Sequence, residues 1–179
     1  MRVVAGRLGG RRLKAPPGTA TRPTGDRVRE ALFTLLGPLD GGRWVLDLFA
    51  GSGALGIEAL SRGADRVTFV DSAPRAIRAV RDNLEALAVE GAEVIRQDAV
   101  AFLRKARAQG RQYDLVFLDP PYRHAGGLAR ELSSLLHVVL APRARVACES
   151  DRRAPLELAL PLIDERRYGD TLIRIHAPR

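Results

Sequence analysis

Apolar positions along this chain of 179 residues follow two periods in alternation. Short apolar runs predict strands at residues 44–49, 66–71, 93–97, 113–119, 144–149 and 171–176. Between them apolar residues recur every three to four positions, which predicts helices over 53–62, 74–88, 98–109 and 127–140. Such alternation implies an α/β domain, a mostly parallel sheet with helices on both faces. Ahead of it, Val28, Leu32, Phe33 and Leu36 form one helical stripe that Thr24 or Asp26 is placed to cap and Gly37-Pro38 to stop. At the far end, Ile163 to Arg167 and Thr171 to Ile175, joined by Tyr168-Gly169-Asp170, read as a closing antiparallel pair.

The first residues keep neither period. Arg2-Val3-Val4-Ala5, the pair Gly9-Gly10 and Arg11-Arg12-Leu13-Lys14 predict a short hairpin whose glycines supply positive φ at the turn. Pro16-Pro17-Gly18 ends it, and residues 15–24 read as an extended connection. Charge sets this segment apart. Of a net charge of +8, residues 1–29 carry eight basic side chains and the single acid Asp26, while the other 150 residues carry 21 basic and 20 acidic groups. A basic arm on a near-neutral body is a polyanion-binding element, with Arg7, Arg11, Arg12, Lys14, Arg22 and Arg27 as its candidate contacts. The organisation expected is a hairpin arm over residues 1–20 and one domain over 21–179.

The remaining composition narrows the setting. A hydrophobic content of 46% with 28% charged residues is that of a globular protein. No apolar run approaches the roughly 18 residues of a membrane span, and no apolar signal core opens the chain, so a cytoplasmic location is expected. The single cysteine, Cys148, has no partner for a disulfide and is expected in the core. No His, Cys or Asp grouping has metal-ligand spacing.

Two short strings carry the chemistry. In Asp47-Leu48-Phe49-Ala50-Gly51-Ser52-Gly53-Ala54-Leu55-Gly56, an acid ends a strand and a glycine turn enters a helix. The glycines let backbone pass close to a ligand at a helix N-terminus. Gly51, Gly53 and Gly56 also match the dinucleotide fingerprint, but Asp47 would repel a pyrophosphate and suits the ammonium of S-adenosylmethionine. Asp71 ends the second strand, where it can accept ribose hydroxyls or serve the helix that starts near Pro74. Asp98 ends the third, where it can meet the adenine amine or cap the next helix. All three lie at the sheet edge that binds ligands in open α/β folds.

The second string, Asp119-Pro120-Pro121-Tyr122, comes to the same edge at the end of the fourth strand. An exocyclic base amine is conjugated into its ring and is a poor nucleophile. The Asp119 carboxylate and the Pro120 carbonyl can hold its two hydrogens, the prolines fix that carbonyl, and Tyr122 can stack on the extruded base. Catalysis of this kind is positioning and charge stabilisation, without metal or covalent intermediate.

The chain is similar, nearly end to end, to the bacterial 16S rRNA (guanine-N2)-methyltransferase family, which modifies one guanine in the head of the small ribosomal subunit. The likeness runs through Arg2-Val3-Val4-Ala5-Gly6, Gly10 to Leu13, Arg22-Pro23-Thr24, Asp26 to Phe33, Asp47 to Gly56, Glu58 to Gly63, Asp119 to Tyr122 and Tyr168 to Thr171. It departs at Thr34, where members often have Asn, and at Asp71, where they commonly have Glu. The resemblance implies a class I, Rossmann-like methyltransferase fold: a seven-stranded, mostly parallel sheet with one antiparallel strand, plus an N-terminal β-hairpin arm that grips RNA. It implies S-adenosylmethionine as donor, S-adenosylhomocysteine as product, and Asp119, Pro120, Pro121 and Tyr122 as the residues that hold the base. Asp47, Phe49, Ala50, Gly51, Ser52, Gly53, Gly56, Asp71, Ser72, Asp98 and Ala99 are expected to line the cofactor. The implied partner is 16S rRNA within a small-subunit particle carrying ribosomal proteins, met by a monomer with no membrane and no metal. Competing readings are a DNA adenine-N6 methyltransferase, for which the chain has no room for a target-recognition region, and a non-catalytic RNA-binding ribosome-assembly factor. A dehydrogenase is disfavoured by Asp47 and the tetrad.

Overall fold

The computed structural model describes residues 1–16, 25–39, 41–120 and 125–178. Its elements run α1 (Asp26–Leu36), β1 (Trp44–Asp47), α2 (Ala54–Ser61), β2 (Arg66–Asp71), α3 (Pro74–Leu87), β3 (Ala92–Arg96), α4 (Ala99–Ala108), β4 (Tyr113–Leu118), α5 (Ala125–Val139), β5 (Leu140–Asp151), β6 (Leu162–Tyr168) and β7 (Thr171–His176). The seven strands form one sheet in the order β3-β2-β1-β4-β5-β7-β6. β7 is antiparallel to β5 and β6, and the other four pairings are parallel.

Strand alternation divides the core in two. Val45, Leu115, Phe117 and Ala147 face a layer built from α1, α2 and α3, with Phe33, Leu60 and Leu84 among its members. Leu46, Val116, Leu118 and Cys148 face the opposite layer of α4 and α5. Cys148 is buried as expected, and its thiol is pushed well above the ordinary range by that burial. The strand order reverses between β1 and β4, which opens a crevice beyond their carboxyl ends.

Three local expectations are corrected. The arm is not a regular hairpin: Arg2 and Arg12 make one isolated bridge, and Gly6 and Gly10, not Gly9, take positive φ. Past that bridge Val3 still donates to the Arg11 carbonyl, but the Arg11 amide turns to Leu8, and the Glu58 carboxylate across the chain takes the Val4 and Ala5 amides. The N-cap of α1 is Gly25 and carries no side-chain bond; Asp26 is already helical and pairs instead with Arg29 and Arg2. β5 is twelve residues long, beginning where α5 ends, because Leu140 already pairs with Tyr113 before the register shifts. Residues 17–24 of the predicted connection, Thr24 and Arg22 among them, lie outside the described residues.

The arm is packed down as part of the core. Val3, Leu8 and Leu13 are buried in the α1–α3 layer. Burying side chains of this size contributes about 1.5–3 kcal/mol each.

Candidate active site

β1 ends on Asp47 and β2 on Asp71, while Asp98 follows β3 and Asp119 follows β4. Four acids therefore stand along one edge of the sheet. The two outer ones are tied into backbone. Asp71 accepts from the Gly51 amide through Oδ2 (2.9 Å) and from the Ala73 amide through Oδ1 (2.8 Å), so it braces the glycine turn against the start of α3. Asp98 is the N-cap of α4, its Oδ1 accepting from Val100 and Ala101 at 3.0 Å each. Of the two uses foreseen for Asp98, the cap is the one seen in the fold.

The turn itself leaves β1 through Phe49 and Ala50. The Ala50 amide donates to the Val70 carbonyl and Gly53 to the Ala50 carbonyl, which closes a tight loop with Gly51 at φ +54 and Gly53 at φ +79. A Cβ at Gly51 would meet nothing nearer than the Phe49 carbonyl at 4.0 Å, so this backbone faces open space. Gly56 is different. Its amide donates to Asp47 Oδ2 (3.0 Å), and a Cβ there would lie 2.2 Å from the Phe69 ring. Gly56 therefore allows α2 to lie on the sheet beneath the turn. Ser72 is exposed beside Asp71, and Ala99 is buried at the start of α4.

Of the two inner acids, Asp47 is buried and Asp119 half-buried. Asp47 is 3% exposed, and burial lifts its carboxyl to about 7 against the Gly56 hydrogen bond, with Asp71 adding repulsion. Asp119 is raised well above the usual carboxylate range, first by burial and then by Glu149 and Asp47. Geometry explains the crowding. Val45, Phe117 and Ala147 belong to one face, and Asp47, Asp119 and Glu149 each follow two residues later, on that same face. Pro120 is buried next to Asp119, whereas Pro121 and Tyr122 lie outside the described residues.

An acid-lined crevice backed by open glycine backbone suits a cationic adenosyl ligand and repels a pyrophosphate, so the residues fit the S-adenosylmethionine expected from the sequence. Among the described residues, no group of His, Cys, Asp and Glu could hold a metal ion, and no helix is long and apolar enough to cross a membrane.

Beside the crevice, the arm is stitched to α2 and α3. Buried Glu58 accepts from Val4 (2.7 Å) and Ala5 (2.9 Å) and pairs with Arg62. Ser61 accepts from the Leu8 amide through Oγ. Asn83, 2% exposed, accepts from the Lys14 amide and donates to both the Lys14 and Ser52 carbonyls at 2.9 Å, joining the arm to the glycine turn. Arg7, Arg11, Arg12 and Lys14 are exposed, and Arg27 is exposed on α1. Sequence reasoning passed over Glu58, Asn83 and Glu149. A signal for Glu149 was present, since it ends an apolar strand run as Asp47 and Asp119 do.

Comparison with known proteins places this geometry. A family model described as conserved hypothetical protein 95 matches residues 1–177. The chain is 41% identical to the ribosomal RNA small subunit methyltransferase D of Haemophilus influenzae, over 87% of this chain and 81% of that one. It is 38% identical to the Escherichia coli K12 protein of the same name, over 91% of this chain and 79% of that one. The solved structure of yhhF from Escherichia coli, described as a candidate methyltransferase, superposes with a TM-score of 0.84 at 35% identity, covering 100% of this chain and 99% of that one.

Proposed function

The chain belongs to the family described as conserved hypothetical protein 95 and to the small-subunit ribosomal RNA methyltransferases D, and on that premise we propose that it moves a methyl group from S-adenosylmethionine to the exocyclic N2 of one guanine in 16S rRNA. The observation that carries this reading is the meeting of Asp47 and Asp119 on one sheet face at the point where the strand order reverses. One acid belongs to the donor turn and the other to the tetrad that holds an amine.

When bound, S-adenosylmethionine supplies an electrophilic sulfonium methyl and leaves as S-adenosylhomocysteine. The chain's own residues do the rest by placement. Phe49 to Gly53 with Asp47, Asp71, Ser72, Asp98 and Ala99 form the cofactor wall, and Gly56 supports it from below. Asp119 and the Pro120 carbonyl take the two amine hydrogens, which turns the nitrogen lone pair toward the donor. As the new N–C bond forms, the amine sheds one proton. The Asp119 carboxylate, whose proton affinity burial has raised, is the group placed to receive it. Pro121 and Tyr122 complete the tetrad, Tyr122 as the stacking face for a base drawn out of its helix.

Residues 1–20 act as the RNA grip on a domain spanning 21–179, with Arg7, Arg11, Arg12, Lys14, Arg22 and Arg27 contacting phosphates. The substrate is a small-subunit particle, and the enzyme meets it as a cytoplasmic monomer. Transfer of labelled methyl to unmethylated small subunits, followed by nucleoside analysis, tests the proposal. N2-methylguanosine is the expected product; methylated duplex DNA in its place would refute the substrate assignment. Arg11→Ala with Arg12→Ala should weaken RNA binding and shrink its salt slope by about 1.5, at roughly 0.7–0.9 per phosphate contact. An unchanged slope would remove the arm from the RNA interface.

A further inference from the structure

We propose that Glu149 is the residue that selects guanine: its carboxylate accepts the ring N1–H beside the amine held by Asp119 and the Pro120 carbonyl. The inference rests on the function proposed above and supplies what that function lacks. Two acceptors around an exocyclic amine hold guanine N2 and adenine N6 equally well, so the tetrad alone does not choose the base. The neighbouring ring atom does differ. Beside its amine, guanine presents N1–H, a donor, whereas adenine presents a bare N1 lone pair. A carboxylate at that place accepts from the first and repels the second.

Glu149 stands at that place. β4 and β5 are adjacent and parallel, with Leu118 opposite Cys148, so the next residues, Asp119 and Glu149, are neighbours across the strands. Both lie on the face carrying Phe117 and Ala147, which is also the face of Asp47. Neighbouring strands are about 4.8 Å apart, a spacing that lets two side chains address adjacent atoms of one ring. Glu149 is 6% exposed, and the repulsion it exerts on Asp119 exceeds that from Asp47. Glu149 is a buried acid beside the reacting site, and the methyl-transfer step does not use it. Beside a carboxylate as buried as Glu149, a mismatched ring nitrogen lacks a good substitute partner, and discrimination is large.

The test uses the full chain and a small-subunit RNA substrate in which the target guanine is either retained or replaced by 2-aminopurine. That analogue keeps the C2 amine and carries a lone pair at N1. The wild-type enzyme should prefer guanine by roughly ten- to hundredfold or more in kcat/KM. Glu149→Gln keeps a neutral carbonyl for N1–H and adds an amide N–H for the lone pair, so it should lose part of the guanine activity and gain relative activity on 2-aminopurine, collapsing the preference at least tenfold. Glu149→Asp should retain the guanine preference. S-adenosylhomocysteine binding, unchanged in both variants, reports that they are folded. Equal loss on both bases in folded Glu149→Gln, or an unaltered guanine preference, overturns the assignment of Glu149. Failure of the wild-type enzyme to methylate the guanine RNA at all overturns the function proposed above, and this inference with it.

Discussion

Four aspartates end or follow four neighbouring strands at one edge of the sheet, yet the inner pair and the outer pair live in different chemistry. Asp71 and Asp98 spend oxygens on backbone amides, and their main effect is to hold the glycine turn and the start of α4 in place. Asp47, buried and bonded to the Gly56 amide, and half-buried Asp119 share one face with Glu149 close by, and their proton affinity is raised. Position at a strand end therefore does not assign a role. The partners a carboxylate finds there do: amide-rich surroundings make it a structural acceptor, and acid-rich burial keeps it reactive.

The contrast is sharpest at Asp119. Asp119→Ala should lower kcat by about 10²- to 10³-fold, with S-adenosylhomocysteine and RNA affinities within a few-fold of wild type; methyl-transfer kinetics beside two binding titrations check this. Equal losses in rate and in binding would place Asp119 with the structural acids.

Asp47 should show its charge through pH. Burial lifts its folded pKa to about 7, above the ordinary aspartate value of about 3.9, so the folded protein holds an extra proton between those limits. Stability of the free protein should consequently fall as pH rises from about 4 to about 7. Affinity for S-adenosylhomocysteine should rise as pH passes through about 7, because the ionised form is the one that attracts an ammonium. Asp47→Asn should abolish the affinity dependence, reduce the stability dependence to the share owed to Asp119, and cost about tenfold in affinity above neutrality. Calorimetric titrations over that range decide the matter.

Smaller effects are expected from the outer pair. Asp71→Ala removes two hydrogen bonds across the turn and should cost about 1–3 kcal/mol in denaturant stability, together with a several-fold loss of cofactor affinity. Asp98→Ala should cost about 1 kcal/mol, the worth of a helix N-cap, and change the transfer rate little. A large rate effect at either outer acid would erase the distinction.

The layout of the sheet was legible because each period belongs to one element type. Strands β2 and β7 coincide with the runs predicted at 66–71 and 171–176, and the antiparallel tail follows from its Gly169 turn. The edge carrying Asp47, Asp71, Asp98 and Asp119 was legible for the same reason, since each acid terminates an apolar run. What escaped were contacts between distant segments. Nothing near Val4 announces that its amide bonds to Glu58, 54 residues away. Asn83 likewise reads as an ordinary polar position on α3, although it bonds residues 69 and 31 positions away. Glu149 escaped for another reason: it ends an apolar run as Asp47 and Asp119 do, but neither a glycine turn nor a proline pair follows it.

The docking of the basic arm bears on how far such enzymes are modular. Val3, Leu8 and Leu13 fill the core, while Glu58, Ser61 and Asn83 on the body receive the arm's backbone. A graft of residues 1–14 onto another methyltransferase would transplant the arginines without their seat. Substrate preference would travel between relatives only as a split unit, the arm together with the helix positions that hold it.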